Sequence, residues 1–329
     1  MDNLLDIIID KFGLSIESAV KDRSCYIIET DSGNFVAKKS AASKDHIIFQ
    51  HKVKEFLFAK SFCNTDRFLL SCNDLPYINR GDDLITVSRF YRLREADFTF
   101  KPDAEKVSEM LGYLHSLTEN YNFSQVDTVF MPDMISEYKK GIVFLQGIKK
   151  ILKAGKGLSD FDVTVAKSYD HYYKRAEAAV KLFHELETIG LLNKRLVICH
   201  NLVKESNFLI DEEGETFITE FSKISAAHPV FDISRLLQRI LKSASRNSHV
   251  DIISVKSLLN SYMKFGELDD HDIKMLYAVL IYPHNFIKAC MSFYNKKRTF
   301  VPVSVKNKLD LIIGNKDIEE QYIGQILSL

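Results

Sequence analysis

Residues 196–237 read LVICHNLVKESNFLIDEEGETFITEFSKISAAHPVFDISRLL. The apolar run 196–199 has the length and composition of a short buried strand, and it ends at His200. The turn residues Asp211-Glu212-Glu213-Gly214 fold FLI back onto TFITEF. Asn207 precedes the first hairpin strand and Glu220 follows the second, so both emerge at the same open end. Two oxygen-bearing side chains brought together in this way suit a hard cation. The same spacing fits a plain hairpin, with Asn207 capping the preceding loop and Glu220 facing water. His200 is a candidate general base, although the end of an apolar strand equally suits a histidine that bonds backbone and fixes the loop. Asp232, on the helix opened by His228-Pro229, is a candidate brace for that loop, or an acid placed where helix starts favour one.

Upstream, SCYIIETDSGNFVAKKS predicts two strands joined by Asp31-Ser32-Gly33-Asn34. Lys38 and Lys39 end the second strand, and because neighbouring strand residues point oppositely, one of them faces the cleft side. HKVKEFLFAKSF fits a helix with apolar residues at 53, 56, 57 and 58, and Glu55 on it is the expected partner of the strand lysine. Two solvated lysines and a surface glutamate fit the same residues. LITVSRFY returns to strand character and carries Arg89. From Lys101 helices dominate: Pro102-Asp103 opens one with apolar positions 107, 110, 111, 114 and 117. Residues 132–155 and 163–190 read as long helices, and helices resume from Pro229. Pro283, inside MLYAVLIYPHNFIKACMSFY, is expected to kink or end its helix. The pattern is α+β, with a small mixed-sheet lobe over 1–95 and a large, mainly helical lobe over 96–329 that carries the loop around Leu202.

Composition narrows the function classes. The chain has 329 residues, 46% of them hydrophobic and 27% charged, enough for two domains and a sizeable core. Its 44 basic and 44 acidic residues cancel, so no global field favours nucleic acid or an anionic membrane. The clusters Lys38-Lys39, Lys149-Lys150 and Lys296-Lys297-Arg298 read as solvated faces. MDNLLDIIIDKF lacks a basic leader and carries acids among its apolar residues, so it reads as an amphipathic helix and not a secretory signal. No apolar run approaches the length of a membrane span. Cys25, Cys63, Cys72, Cys199 and Cys290 lack metal-ligand spacing and read as reduced thiols of a cytoplasmic protein, Cys199 as a buried structural one.

Taken together, these segments resemble the spore coat CotS-type proteins, within the aminoglycoside phosphotransferase and choline-kinase-like group, over nearly the whole chain. GNFVAKK is similar to that family's lysine strand, ITVSRFYRLREADF to its hinge, and MLGYLHSL to its Leu-x-x-Leu-His helix. CHNLVKESNFLI, ITEFSK and HPVFDISRLL resemble its catalytic block, and YPHNFIKACMSFYNKKR its C-terminal segment. The resemblance implies a bilobal protein-kinase-like fold. It makes Lys38 the phosphate-binding lysine, with Lys39 the alternative register, and places Lys38, Lys39, Glu55 and Arg89 at a nucleotide site. It maps the ends of the loop pattern His-x-Asp-x-x-x-x-Asn onto His200 and Asn207, and matches Asp232 to the family's helix aspartate. ATP and magnesium are the cofactors it allows, with Asn207 and Glu220 the metal ligands.

The departures fall at the chemistry. The base position is Leu202, which cannot accept a proton, and a positioned general base contributes about 10²–10⁴-fold. The metal-binding aspartate is Glu220, one methylene longer, and its second acid is Ser222. Leu93 stands where the hinge has glycine. Glu205 is a nearby acid, but on the variable part of the loop. The expectation is a kinase-fold coat protein of impaired catalysis that acts in assembly with other coat proteins, without nucleic acid or membrane partners. An active phosphotransferase with an unusual site and a nucleotide-sensing pseudokinase are the alternatives.

Overall fold

The computed structural model describes residues 3–22, 25–123, 133–155, 157–190, 195–244, 252–295 and 301–328. The cluster Lys296-Lys297-Arg298, and with it the end of YPHNFIKACMSFYNKKR, lies outside the described residues. The chain divides into two compact units. One comprises Met1–Asp97, Tyr113–Met131 and Val197–Ala226; the other comprises Phe98–Gly112, Pro132–Leu196 and Ala227–Leu329.

The first unit is built on an antiparallel sheet of β1 (Ile16–Asp22), β2 (Cys25–Thr30), β3 (Gly33–Ser40), β4 (Ile78–Arg80) and β5 (Asp83–Arg89), in the order β1-β2-β3-β5-β4. The period of two along these strands puts Tyr26, Ile28, Phe35, Ala37, Ile85 and Val87 on one face. Helix α1 (Asn3–Phe12) lays Leu4, Ile8 and Phe12, spaced by four, against that face. Each such side chain contributes about 1.5–3 kcal/mol on burial. The expected hairpin at Asp31 is the β2–β3 connection, closed by Thr30 paired with Gly33. Helix α2 (Lys44–Ala59) starts with Ser43 accepting the His46 N–H and buries Ile47, Phe49, Gln50, Val53, Lys54 and Leu57. The stretch β6 (Arg94–Glu95), β8 (Phe208–Ile210) and β9 (Thr216–Ile218) forms a second antiparallel sheet, and β7 (Val197–Cys199) pairs with β10 (Ser225–Ala227).

Helix α3 (Lys101–Thr118) buries Val107, Leu111 and Leu114, three of the five positions in its expected stripe. The second unit is helical: α4 (Met134–Ala154), α5 (Asp160–Thr188), α6 (Val230–Ala244), α7 (Val255–Tyr262), α8 (Asp270–Ile281), α9 (His284–Tyr294), α10 (Val303–Gly314) and α11 (Lys316–Gly324). Reciprocal Ser159–Asp162 and Asp269–Asp272 capping boxes start α5 and α8. Pro283 ends α8 and begins α9, as its missing N–H and fixed φ require. The break is held by Tyr282, whose ring stacks on Tyr138 at 3.8 Å and whose hydroxyl donates to the Tyr138 carbonyl. Asp272 joins α8 to its surroundings through His228 at 3.0 Å and Arg195 at 3.1 Å. The five cysteines are free thiols, Cys199 and Cys290 buried.

Two glycines of this unit test opposite sides of the packing. A Cβ at Gly112 would overlap the Tyr262 carbonyl oxygen, while one at Gly147 would meet nothing within 4 Å. Gly112→Ala is expected to cost about 1–3 kcal/mol by overpacking. Gly147→Ala, in the middle of α4, is expected to gain about 0.5–1 kcal/mol from helix propensity. Urea unfolding followed by circular dichroism measures both.

Candidate active site

The side chains of His200, Asn201 and Asn207 tie the loop 200–207 to backbone. His200 is fully buried between the rings of Phe208 and Phe221, and its Nε2 donates to the Thr219 carbonyl at 2.9 Å. Asn201 adopts a left-handed backbone, φ +64°, an uncommon conformation for a residue with a Cβ. Its Nδ2 donates to the carbonyls of Cys199 and Lys223 and to Ser225 Oγ, which holds the bend. Leu202 follows, half-buried. Asn207 Nδ2 donates to the Leu202 carbonyl at 2.8 Å, so the asparagine does cap the loop. Glu205 lies in the 3₁₀ turn Glu205–Asn207.

The hairpin register carries Asn207 toward Glu220. Phe208 pairs with Ile218, and the Thr219 N–H donates to the Asn207 carbonyl at 2.9 Å. Glu220 comes next, also left-handed at φ +64°. It does not face water as a plain hairpin would have it: its carboxylate receives the Lys38 ammonium. Burial alone would raise the Glu220 pKa, but the Lys38 charge and hydrogen bond, Ser222 and the Lys54 charge outweigh it and hold the carboxyl near about 2. Lys38 projects from the sheet face opposite Phe35 and Ala37. Lys39, on the other face, is exposed and pairs with Asp83.

Two expected residues are placed elsewhere. Glu55 is not the partner of the strand lysine: both its oxygens accept from Arg67, at 3.0 and 2.6 Å, because the buried stripe of α2 points the neighbouring residue inward instead. Arg89 is committed to the β2–β3 turn, where its Nη1 donates to the Ser32 carbonyl at 2.6 Å. Asp232 belongs to the helical unit, fully buried in the first turn of α6, with Arg235 at 3.5 Å.

The residue that α2 does turn inward is Lys54, which is 1% exposed. Its Nζ stands 2.8 Å from Asp66 Oδ1, donates to the Asp66 carbonyl at 2.6 Å and lies over the Phe68 ring at 4.1 Å. Asp66 Oδ2 in turn accepts the Glu220 N–H at 3.2 Å. Neither residue stood out in the sequence, yet together they hold the backbone that aims Glu220. A signal for Lys54 existed, since Ile47, Gln50, Val53 and Leu57 share its helical stripe. Asp66 sits in a loop and gives none.

The family described as Spore coat putative kinase YutH matches residues 5–326. The chain belongs to that family. No curated protein matches it in sequence. Among solved structures, it is similar to an aminoglycoside phosphotransferase from Alicyclobacillus acidocaldarius, with 16% identity, a TM-score of 0.85, and 98% of this chain and 95% of that one covered. It is similar to the spectinomycin phosphotransferase APH(9)-Ia at 12% identity and TM-score 0.68, covering 98% and 96%. It is also similar to the amicoumacin kinase hAmiN at 15% and 0.63, covering 98% and 94%. These likenesses establish the fold, α+β and bilobal in the protein-kinase-like manner. In the plain terms the family supports, this is a spore coat kinase-like protein with a phosphotransferase fold. Among the described residues no helix is long and apolar enough to cross a membrane.

The donor types at the site match a hard cation: an ionised carboxylate on Glu220, and on Asn207 an amide oxygen that accepts from Ser206 Oγ at 3.4 Å while Nδ2 bonds Leu202. Lys38, however, already neutralises Glu220. A metal there would compete with an ammonium, and a nucleotide would have to draw that ammonium to its phosphates.

Two expectations test the geometry. Lys54→Met leaves Asp66 buried without its cation and should cost about 3–5 kcal/mol in urea unfolding, whereas Lys39→Met stays within about 0.5 kcal/mol of the parent. Glu220 has a folded pKa of about 2 against an ordinary 4.5, so its stabilisation is present above the ordinary value and lost as pH falls toward the folded one. Glu220→Gln should therefore be less stable than the parent by about 1–3 kcal/mol near neutral pH, and the gap should close between about pH 5 and pH 2. Melting temperatures across that range read it out.

Proposed function

We propose that this chain is a kinase-fold pseudoenzyme of the spore coat, which acts in coat assembly through its surfaces, together with other coat proteins, and not by phosphate transfer. The observation that carries the reading is Leu202. The loop that would present a catalytic base keeps its two ends, His200 and Asn207, each with a backbone bond, and places between them a side chain that can neither accept a proton nor orient a hydroxyl. Glu220 at the metal-ligand position and its pairing with Lys38 support the same conclusion. Losing the base removes about 10²–10⁴-fold, and misplacing the metal by a methylene in a site intolerant of displacement removes more.

A second reading keeps some support from the same residues. By the resemblance Lys38 stands where the family's lysine strand would meet phosphates, and Glu220 stays ionised, so ATP binding with or without transfer is compatible with the site. Phosphate transfer from ATP with magnesium or manganese, measured with the purified chain, tests the first reading. The expected result is no turnover above background, with Asn207→Ala identical to the parent. Turnover at about 1–100 s⁻¹, abolished by Asn207→Ala, would show a working kinase. Calorimetry separates the nucleotide-binding form: ATP binding that vanishes in Lys38→Ala, with no transfer, identifies a sensor. Thermal stabilisation by ATP should then track that affinity.

A further inference from the structure

The helical unit holds a cavity of about 550 Å³ between α5, α6, α9, α10 and α11. That lies within the ~300–1,000 Å³ typical of small-molecule sites. Its lining includes no residue of the loop 200–207 and not Glu220. The floor is apolar and buried: Tyr172 and Phe286 stack at 4.1 Å, beside Leu237, Leu280 and Ile323. Exposed residues, Asn285, Asn307 and Leu311 among them, mark the mouth.

The wall carries no charge that a ligand is needed to answer. Among the described residues that line it, Glu319 is the one carboxylate, and Arg175 neutralises it at 2.6 Å. Lys242 and Lys308 are exposed at the mouth, where water solvates them. His284 is neutral at neutral pH, because desolvation, and after it the charges of Lys288, Arg235 and Lys308, lower its pKa to about 4. One polar group differs from these. Tyr322 lines the cavity at 2% exposure, and its hydroxyl is buried without a hydrogen-bond partner among the described residues. A buried tyrosine hydroxyl ordinarily has a partner, and a buried donor left unpaired is destabilising. The wall thus combines an apolar, electrically neutral surface with a single unmet neutral donor.

We propose that this cavity binds a small uncharged molecule, apolar in its body and carrying one hydrogen-bond acceptor, such as a ketone or ester oxygen, for the Tyr322 hydroxyl. A carboxylate or an ammonium would give up hydration on entering, and no unpaired group of opposite sign on the wall replaces it. A polyhydroxylated molecule would press several polar groups against a floor of aliphatic and aromatic carbon. A pure hydrocarbon would leave the hydroxyl unpaired. The site needs neither ATP nor phosphate transfer, so its test is independent of the reading of Leu202.

Isothermal titration of the full chain with 2-acetonaphthone, 2-naphthoate and 2-naphthylmethylammonium tests this, because the three share an aryl body and differ in charge. The ketone should bind one-to-one, with each ion weaker by about tenfold or more. Tyr322→Phe keeps the ring and removes only the hydroxyl, so it should weaken the ketone by about 3–10-fold. The same variant should melt no lower than the parent, since the donor it removes has no partner in the fold. Leu311→Trp, at a position 42% exposed and so tolerant of a larger side chain, should fill the cavity and remove ketone binding. Circular dichroism checks that each variant folds, and if Leu311→Trp does not, Tyr322→Phe alone decides. No saturable ketone binding up to about 1 mM, an ion bound as tightly as the ketone, or unchanged ketone affinity in Tyr322→Phe or in a folded Leu311→Trp overturns the proposal.

Discussion

A lysine ammonium taken out of water loses several kcal/mol of hydration, and it remains in a protein interior only where fixed acceptors replace that water. Lys54 meets the condition with one residue, whose carboxylate and carbonyl both face it, and with the aromatic face of Phe68. Asp66 therefore cannot move independently of α2. Its neighbours in the loop are pinned as well: Asn64 donates from its side chain to the Thr216 carbonyl and accepts the Ile218 N–H on its own carbonyl. The loop thus runs beside β9, with Thr65 bridged to Ile218. The remaining oxygen of Asp66 takes the Glu220 N–H, so the buried pair reaches the site through one hydrogen bond.

That bond explains why Glu220 can hold a left-handed backbone. A non-glycine residue pays for such a conformation with about 1–3 kcal/mol, and it persists only where surroundings over-determine it. Here the surroundings are Asp66 at its amide and Lys38 at its carboxylate. Asn201 is the matching case at the other end of the loop, fixed by three acceptors on its side-chain amide. Both strained residues flank Leu202 and Asn207, and the bond from Asn207 to Leu202 closes the loop between them.

How far this frame is legible in the sequence depends on the range of the forces that build it. The β2–β3 hairpin, the helix break at Pro283 and the placement of Asn207 beside Glu220 follow from turn chemistry and period, which act over a few residues. Strand β1 escapes such reading because it is an edge strand whose residues are mostly exposed and whose register shifts between Ile16 and Ser18, so it shows no clean alternation. The choice between Lys38 and Lys39 depends on which face α1 covers, a tertiary fact. The error at Glu55 has the same origin. The stripe of α2 turns Lys54 inward and leaves Glu55 to Arg67, while the acid for Lys38 comes from 182 residues away.

The bonds that these residues make bear on why the loop looks as it does. His200, Asn201, Asn207 and Glu220 each make a bond that supports the fold whether or not phosphate is ever transferred. A catalytic aspartate in the place of Leu202 would carry no such duty, because its carboxylate must stay open to a substrate. If turnover ceased to matter, this is the position free to change first, and an aliphatic side chain there buries apolar area where an unpaired carboxylate would have to remain solvated. At 220, where the resemblance implies an aspartate, the longer glutamate reaches the Lys38 ammonium. His200, Asn201, Asn207 and Glu220 thus carry bonds that hold the loop whatever the chemistry of the site.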